Sequence, residues 1–318
     1  MMIFGPVPSR RLGASLGINN LPVKHCSYSC VYCQVGPTPL TEVERRTFYS
    51  PEEIYRQVQE RVKNLQEKGE KIDYLSFVPD GEPTLDLNLG REIILLRQLK
   101  IPIAVITNAS LLWREDVRLD LQAADLVSVK IGTVKKGSWE KIHRPYPGLS
   151  LDQILYGLRL FSREYRGKLI TETLLVKGLN DSQSEIRAVA EFIQALSPER
   201  AYLGVPTRPP AETWVKPPLP EKVNLAYQIF QQQKLPVELM GFQSENSFGF
   251  SGDIFADILA TTAVHPLEKE QVKQLLEKAS ADWSVVEKLV GSGLVRWVNY
   301  RKRQFLIRWL PSQKSKKI

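Results

Sequence analysis

Cys26-Ser27-Tyr28-Ser29-Cys30-Val31-Tyr32-Cys33 holds all three cysteines of the 318-residue chain within eight positions. An odd, clustered set argues against disulfides. Thiolates at this spacing can converge on a soft metal from a single loop, and a fourth protein ligand is missing unless His25 or the distant His143 supplies it. A structural zinc site requires closure by four ligands, whereas a catalytic iron-sulfur cluster gains from one iron left open to a substrate. Cys26, Cys30 and Cys33 are therefore the candidate metal ligands.

The loop follows the first of six strand-like segments, at 12–18, 72–78, 101–107, 125–131, 169–176 and 201–205, with a further apolar stretch at 237–242 expected at the sheet edge. These alternate with amphipathic stretches, the pattern of βα units stacked into a parallel sheet or barrel. Ser50 as N-cap, Pro51 in the first turn and Glu53 completing a capping box open the first helix, whose buried stripe is Ile54, Val58, Val62 and Leu65. Further helices are expected over 88–99, 115–124, 151–165, 182–196 and 220–233.

A charged fraction of 25% and a hydrophobic fraction of 43% suit a soluble chain, and no apolar run approaches the ~20 residues of a membrane helix. The first residues carry no secretory pattern, which predicts a cytoplasmic location. The net charge of +8 is uneven: residues 257–318 hold twelve Lys and Arg against six Asp and Glu. Residues 246–253 read as a linker or lid between a domain at 1–245 and one at 254–318. In the latter, two amphipathic helices, the second opened by a Ser284/Glu287 capping box, precede strands at 294–298 and 304–310 around the basic turn 299–303. Helix, helix and hairpin is winged-helix order, with Arg301, Lys302 and Arg303 at the wing tip as candidate contacts to RNA, or the whole as a protein-docking module.

The C-x3-C-x2-C loop, with an aromatic before its last cysteine, resembles the signature of the radical S-adenosylmethionine (SAM) superfamily. Over residues 1 to about 245 the chain is similar to a bacterial branch of its wyosine-synthase-related members, through Gly5-Pro6-Val7-Pro8-Ser9-Arg10-Arg11-Leu12-Gly13 and Tyr32-Cys33-Gln34-Val35-Gly36. The tRNA-modifying relatives carry extra cysteines for a second cluster, and this chain has none. The resemblance implies a partial (β/α)6 barrel and a 4Fe-4S cluster bound by three thiolates. It also implies a one-electron donor such as flavodoxin or ferredoxin, and cleavage of S-adenosylmethionine to a 5'-deoxyadenosyl radical that abstracts hydrogen from a substrate. That substrate is either an RNA, as in tRNA modification, or a peptide or small metabolite; a non-enzymatic iron-sulfur or zinc regulator that binds DNA through the winged helix is the third reading.

On that resemblance Tyr32 packs near the adenine. Gly81 and Glu82, in the turn Asp80-Gly81-Glu82-Pro83 where Asp80 replaces the commoner glycine, face the methionine ammonium, and Asn108 of Thr107-Asn108-Ala109 contacts the ribose. Ser128, Glu172 and Asn180 fall where cofactor contacts lie, and Lys130 and Lys177 are candidate catalytic groups. All sit near carboxyl ends of strands, where barrel enzymes assemble their sites. Arg10 and Arg11 before the first strand, His143 and Arg144 in a loop before the fourth helix, and Arg208 and Trp214 after the sixth strand are candidate substrate contacts.

Overall fold

A computed structural model describes residues 2–240, 250, 252–264, 266–301 and 303–309. The expected strands appear as β2 (Gly13–Ile18), β3 (Tyr74–Phe77), β4 (Ile103–Thr107), β5 (Leu126–Lys130), β6 (Lys168–Leu174) and β7 (Arg200–Gly204). They lie side by side in chain order and all run parallel. Each is buried on both faces, as parallel strands under helices must be. Successive residues alternate between two cores: Ile103, Val105, Val127 and Val129 pack against the helices, while Ala104, Ile106, Leu126 and Tyr202 meet in the interior.

Helices α1 (Pro51–Glu67), α2 (Leu89–Leu96), α3 (Glu115–Leu121), α4 (Lys136–His143), α5 (Leu151–Glu164), α6 (Gln183–Leu196) and α7 (Pro220–Gln232) cover the outside. The predicted stripe Ile54, Val58, Val62 and Leu65 is buried, and the Ser50 side chain caps the Glu53 N–H. The Glu53 carboxylate turns to Arg56 and Gln57, so the predicted capping box is half made. Helix α4 was not read from the sequence. It has no side-chain cap, and it carries His143 as its last residue where a loop was expected.

Two edge strands complete the sheet. β1 (Ile3–Ser9), also unread, pairs antiparallel with β2; its prolines 6 and 8 are tolerated because an edge strand leaves one side unpaired. β8 (Val237–Leu239) pairs parallel with β7; of the rest of the expected 237–242 strand, Met240 lies past its end and 241 and 242 are outside the described residues. β1 and β8 are the two edges of an open sheet, and Arg10 in the β1–β2 turn reaches across to the Leu239 carbonyl at 3.1 Å.

The C-terminal segment has its own core of Ile258, Leu267, Val272, Leu275, Leu289 and Leu306. Its elements are α8 (Ile254–Val264), β9 (Leu267–Glu268), α9 (Lys269–Lys278), α10 (Ser284–Gly291), β10 (Val295–Tyr300) and β11 (Arg303–Arg308), the strands ordered β10-β11-β9. α8 and β9 were not foreseen. The Ser284/Glu287 capping box is absent: Trp283 is the N-cap, and the Asp282 carboxylate accepts the Ser284 N–H at 2.8 Å instead. A capping box forms at α9, between Glu268 and Gln271. The basic turn is tighter than expected, since Tyr300 and Arg303 still pair. The linker at 246–253 lies mostly outside the described residues, as does Lys302.

Candidate active site

The cysteine loop leaves the end of β2 and is pinned to the turn that leaves the end of β3. Lys24 N–H donates to the Asp80 carbonyl at 3.0 Å and Glu82 N–H to the His25 carbonyl at 2.9 Å. A Cβ at position 81 would stand 1.8 Å from the His25 oxygen, so glycine is required there for the two loops to meet. The Gly81 backbone therefore approaches the cysteine loop, one residue from Cys26.

Glu82 is 1% exposed, and burial pushes its carboxyl up. One oxygen accepts from Thr84 N–H (3.2 Å), the Thr84 hydroxyl (2.7 Å) and the Thr107 hydroxyl (2.6 Å); the other accepts from Asn108 N–H at 2.7 Å. It thus ties the ends of β3 and β4 together. The Asn108 amide in turn donates to the Ser27 hydroxyl at 2.9 Å and lies 3.6 Å from the Cys26 sulfur. The carboxylate and the carboxamide expected to meet the cofactor both line the cavity, yet both are engaged in bracing the cysteine loop. The missing ingredient in the sequence reading was the pairing of Glu82 with two adjacent strand ends.

The three cysteines line a cavity of about 820 Å³ at the carboxyl ends of the strands. Burial pushes the Cys26 thiol up to about 12 and raises Cys30 as well, so bare thiolates are disfavoured and a cationic iron is what would hold them ionised. Among the described residues no three His, Cys, Asp or Glu side chains converge as one metal ion would require. The three thiols line one cavity and act on one another electrostatically, which fits a cluster that gives each thiolate its own iron.

His143 lies behind Cys30, not at the rim. It is 4% exposed, with Nδ1 3.2 Å from the Cys30 sulfur and its ring edge-on to Tyr32. Burial, reinforced by Lys130, drops its pKa to about 3, so the ring is neutral. Tyr32 lines the cavity, as do Gly81, Lys130, Glu172, Arg10, Arg11, Arg208 and Arg303. Arg11 forms an ion pair with Glu172. That pair and Lys130 hold the Glu172 carboxyl below its usual range despite burial.

Other predicted residues lie elsewhere. Asn180 is buried and bonds the Val176 N–H and the Gly132 and Leu174 carbonyls, a structural bracket for the loop after β6. Ser128 is buried with its hydroxyl unpartnered, outside the cavity lining. Lys177 is exposed, Arg144 pairs with Glu212, Trp214 is 48% exposed, and Arg301 is exposed in its turn; none lines the cavity. Residues not singled out do line it: Lys24, whose ammonium is 3.9 Å from the Cys33 sulfur, Asp80, and Glu270, Gln271 and Gln274 of α9. Lys24 was legible as a cation beside the motif. The α9 residues were not, because only tertiary packing brings that helix to the cysteines.

No helix among the described residues is long and apolar enough to cross a membrane. In the search of solved structures, Streptococcus suis SuiB bound to S-adenosylmethionine is 17% identical with a TM-score of 0.52, covering 70% of this chain and 49% of that one. A radical SAM methyltransferase from Sphaerobacter thermophilus is 16% identical with a TM-score of 0.50, covering 71% and 66%. At such identities the likeness is one of fold. The UPF0026 protein of Methanocaldococcus jannaschii is 47% identical over 312 residues, 98% of this chain and 97% of that protein. The family model of the radical SAM superfamily matches residues 20–193, more than half of the chain and inclusive of the cysteine loop. The chain belongs to the radical SAM superfamily, enzymes that work with a 4Fe-4S cluster and S-adenosylmethionine.

Proposed function

We propose that Cys26, Cys30 and Cys33 hold the cluster and that the enzyme acts on a small anionic molecule bound in the cavity beside it. The observation that carries this reading is Lys130, a cation that lines the cavity, makes no ion pair among the described residues, and lies close enough to Cys30 and Glu172 to act on both electrostatically. A carboxylate or phosphate is its natural partner. When bound, the cluster supplies one electron, delivered to it by a donor such as flavodoxin or ferredoxin, to cleave S-adenosylmethionine for hydrogen abstraction. The chain's own share is orientation. Glu82 and Asn108 fix the cysteine loop, Tyr32 would stand by the adenine as the family resemblance implies, and Glu172, paired with Arg11, is the strand neighbour of Lys130. An oxygen-sensitive cluster suits a reducing cytoplasm.

The test is release of 5'-deoxyadenosine by the anaerobically reconstituted protein with a one-electron reductant. Lys130→Ala should keep its iron and lose stimulation by the substrate, whereas undiminished stimulation would contradict the assignment.

Elements α8 to β11 follow winged-helix order, and we read 254–318 as such a domain. Contact with RNA is the second reading, favoured by the exposed Arg301. It is weakened because Arg303 pairs with Glu268 at 2.8 Å, Arg308 donates to the Leu259 carbonyl at 3.2 Å, and Arg296 lies 3.3 Å over the Trp309 ring. Titration of bulk tRNA at rising salt separates the readings: each phosphate contact adds about 0.7 to the log-log slope on single strands.

A further inference from the structure

Each of the three cysteine sulfurs faces one side-chain nitrogen. Nδ1 of His143 is 3.2 Å from Cys30, the Asn108 amide is 3.6 Å from Cys26 and the Lys24 ammonium is 3.9 Å from Cys33. The three contacts are unequal. Asn108 also gives its amide to the Ser27 hydroxyl at 2.9 Å and Lys24 its ammonium to the Gly36 carbonyl, whereas Nδ1 of His143 has no other partner among the described residues. The shortest and most committed contact therefore falls on Cys30, a sulfur on which the Tyr32 hydroxyl acts as well.

The backbone sets this approach independently of the imidazole. The last carbonyls of α4, left without partners inside the helix, accept the N–H groups on either side of Cys30: Ile142 takes that of Val31 at 2.9 Å and His143 that of Ser29 at 3.0 Å. The ring is held by Tyr28 and Tyr32, with centroids 5.1 and 5.8 Å away, and Tyr28 is itself anchored by the Trp139 indole N–H at 3.1 Å. Gly132 makes room for it, since a Cβ there would stand 2.7 Å from Nε2. His143 is outside the cavity lining, so the ring meets the sulfur and not the space in front of it.

A thiolate that binds iron has no proton to give. The contact to Cys30 then persists only with the hydrogen on Nδ1, so that the ring nitrogen donates and the sulfur accepts. A donor to a ligating sulfur favours the more negative of two cluster charge states, and hydrogen bonds to the sulfurs are among the features that set an iron-sulfur potential.

We infer that His143, acting through an Nδ1–H···Sγ bond to Cys30, raises the reduction potential of the cluster and so eases entry of the electron that cleaves S-adenosylmethionine. The inference concerns the electron and not the substrate, and it rests on Cys30 holding the cluster as proposed above. In this couple one electron passes from the reductant to the cluster, no bond forms or breaks, and the imidazole keeps its proton in both states.

The experiment is a redox titration of the anaerobically reconstituted full chain, without S-adenosylmethionine, using dithionite and mediator dyes. The readout is the electron paramagnetic resonance signal of the reduced cluster. Leucine and asparagine have the same branched shape, and an asparagine amide nitrogen can take the place of Nδ1. His143→Leu and His143→Asn thus open the same space beside Tyr28 and Tyr32 and differ in whether a donor remains. His143→Leu should keep its iron, because the backbone bonds to Ser29 and Val31 stay. Its ratio of reduced to oxidised cluster at a fixed potential should fall about three- to tenfold, a downward shift of about 30 to 60 mV at roughly 59 mV per tenfold. His143→Asn should recover most of that shift. If these shorter side chains cost iron, His143→Met and His143→Gln, closer in length to the ring, form the same pair and are judged in the same way. A leucine or methionine midpoint equal to that of its amide counterpart or of the wild type, or loss of iron in all four variants, overturns the inference. Wild-type protein that binds no iron contradicts the proposed function itself.

Discussion

Glu82 donates its backbone N–H to the carbonyl of His25 at 2.9 Å, so the turn after β3 is fastened to the residue immediately before Cys26. Gly81 makes the approach possible, because a Cβ there would stand 1.8 Å from the same oxygen. Gly81→Ala must push the two loops apart. The expected cost is about 1–3 kcal/mol or more, as for overpacking, with iron per chain falling in parallel. Wild-type melting and iron content in that variant would show that the contact does not position the cluster loop.

Asp80, the neighbouring residue, supplies a pH signature. Burial raises its pKa from 3.8 to about 6, outweighing the opposing Lys24 ammonium and the Asn19 side chain. A raised folded pKa means that the folded state holds the proton more tightly than the unfolded chain. The corresponding stability is full below the unfolded value, is lost as pH rises through the folded one, and amounts to about 3 kcal/mol at most. Asp80→Asn cannot ionise. Its thermal midpoint should exceed that of the wild type by a margin that widens from about pH 3 to about pH 7 and then stays level. A constant margin would remove Asp80 as the source.

Ala109 occupies a left-handed conformation, φ 65°, at the position after Asn108, with its methyl buried. That backbone costs a non-glycine residue about 1–2 kcal/mol, offset by roughly 0.8 kcal/mol for the buried methyl and by the larger unfolded entropy of glycine. Ala109→Gly should therefore stabilise by less than about 1 kcal/mol, read from denaturant midpoints. A loss above about 1 kcal/mol would mean that the methyl packs more tightly than the backbone strain it imposes.

The sequence was most legible where chemistry is local. Three thiols in one loop point to a metal without any tertiary information, and the six parallel strands show themselves because burial on both faces demands continuous apolar runs. β1 escaped because Pro6 and Pro8 argue against a strand unless it is an edge, and edge position is a property of the assembled sheet. His143 was visible as a residue but not as the neighbour of Cys30, since α4 brings it there across more than a hundred positions. Glu82 and Asn108 were chosen for a ligand and found bracing the loop that faces it, because the partners Thr107 and Ser27 come from separate elements. The basic wing tip looked free in a linear charge count, which does not reveal that Arg303 meets Glu268.

Iron bound per chain after anaerobic reconstitution tests the central claim most directly. The account predicts about four irons in the wild type and loss of the cluster in Cys26→Ala, Cys30→Ala and Cys33→Ala taken singly. Stoichiometric zinc without iron under the same reducing, oxygen-free conditions, or full iron in any one of the three variants, would contradict it.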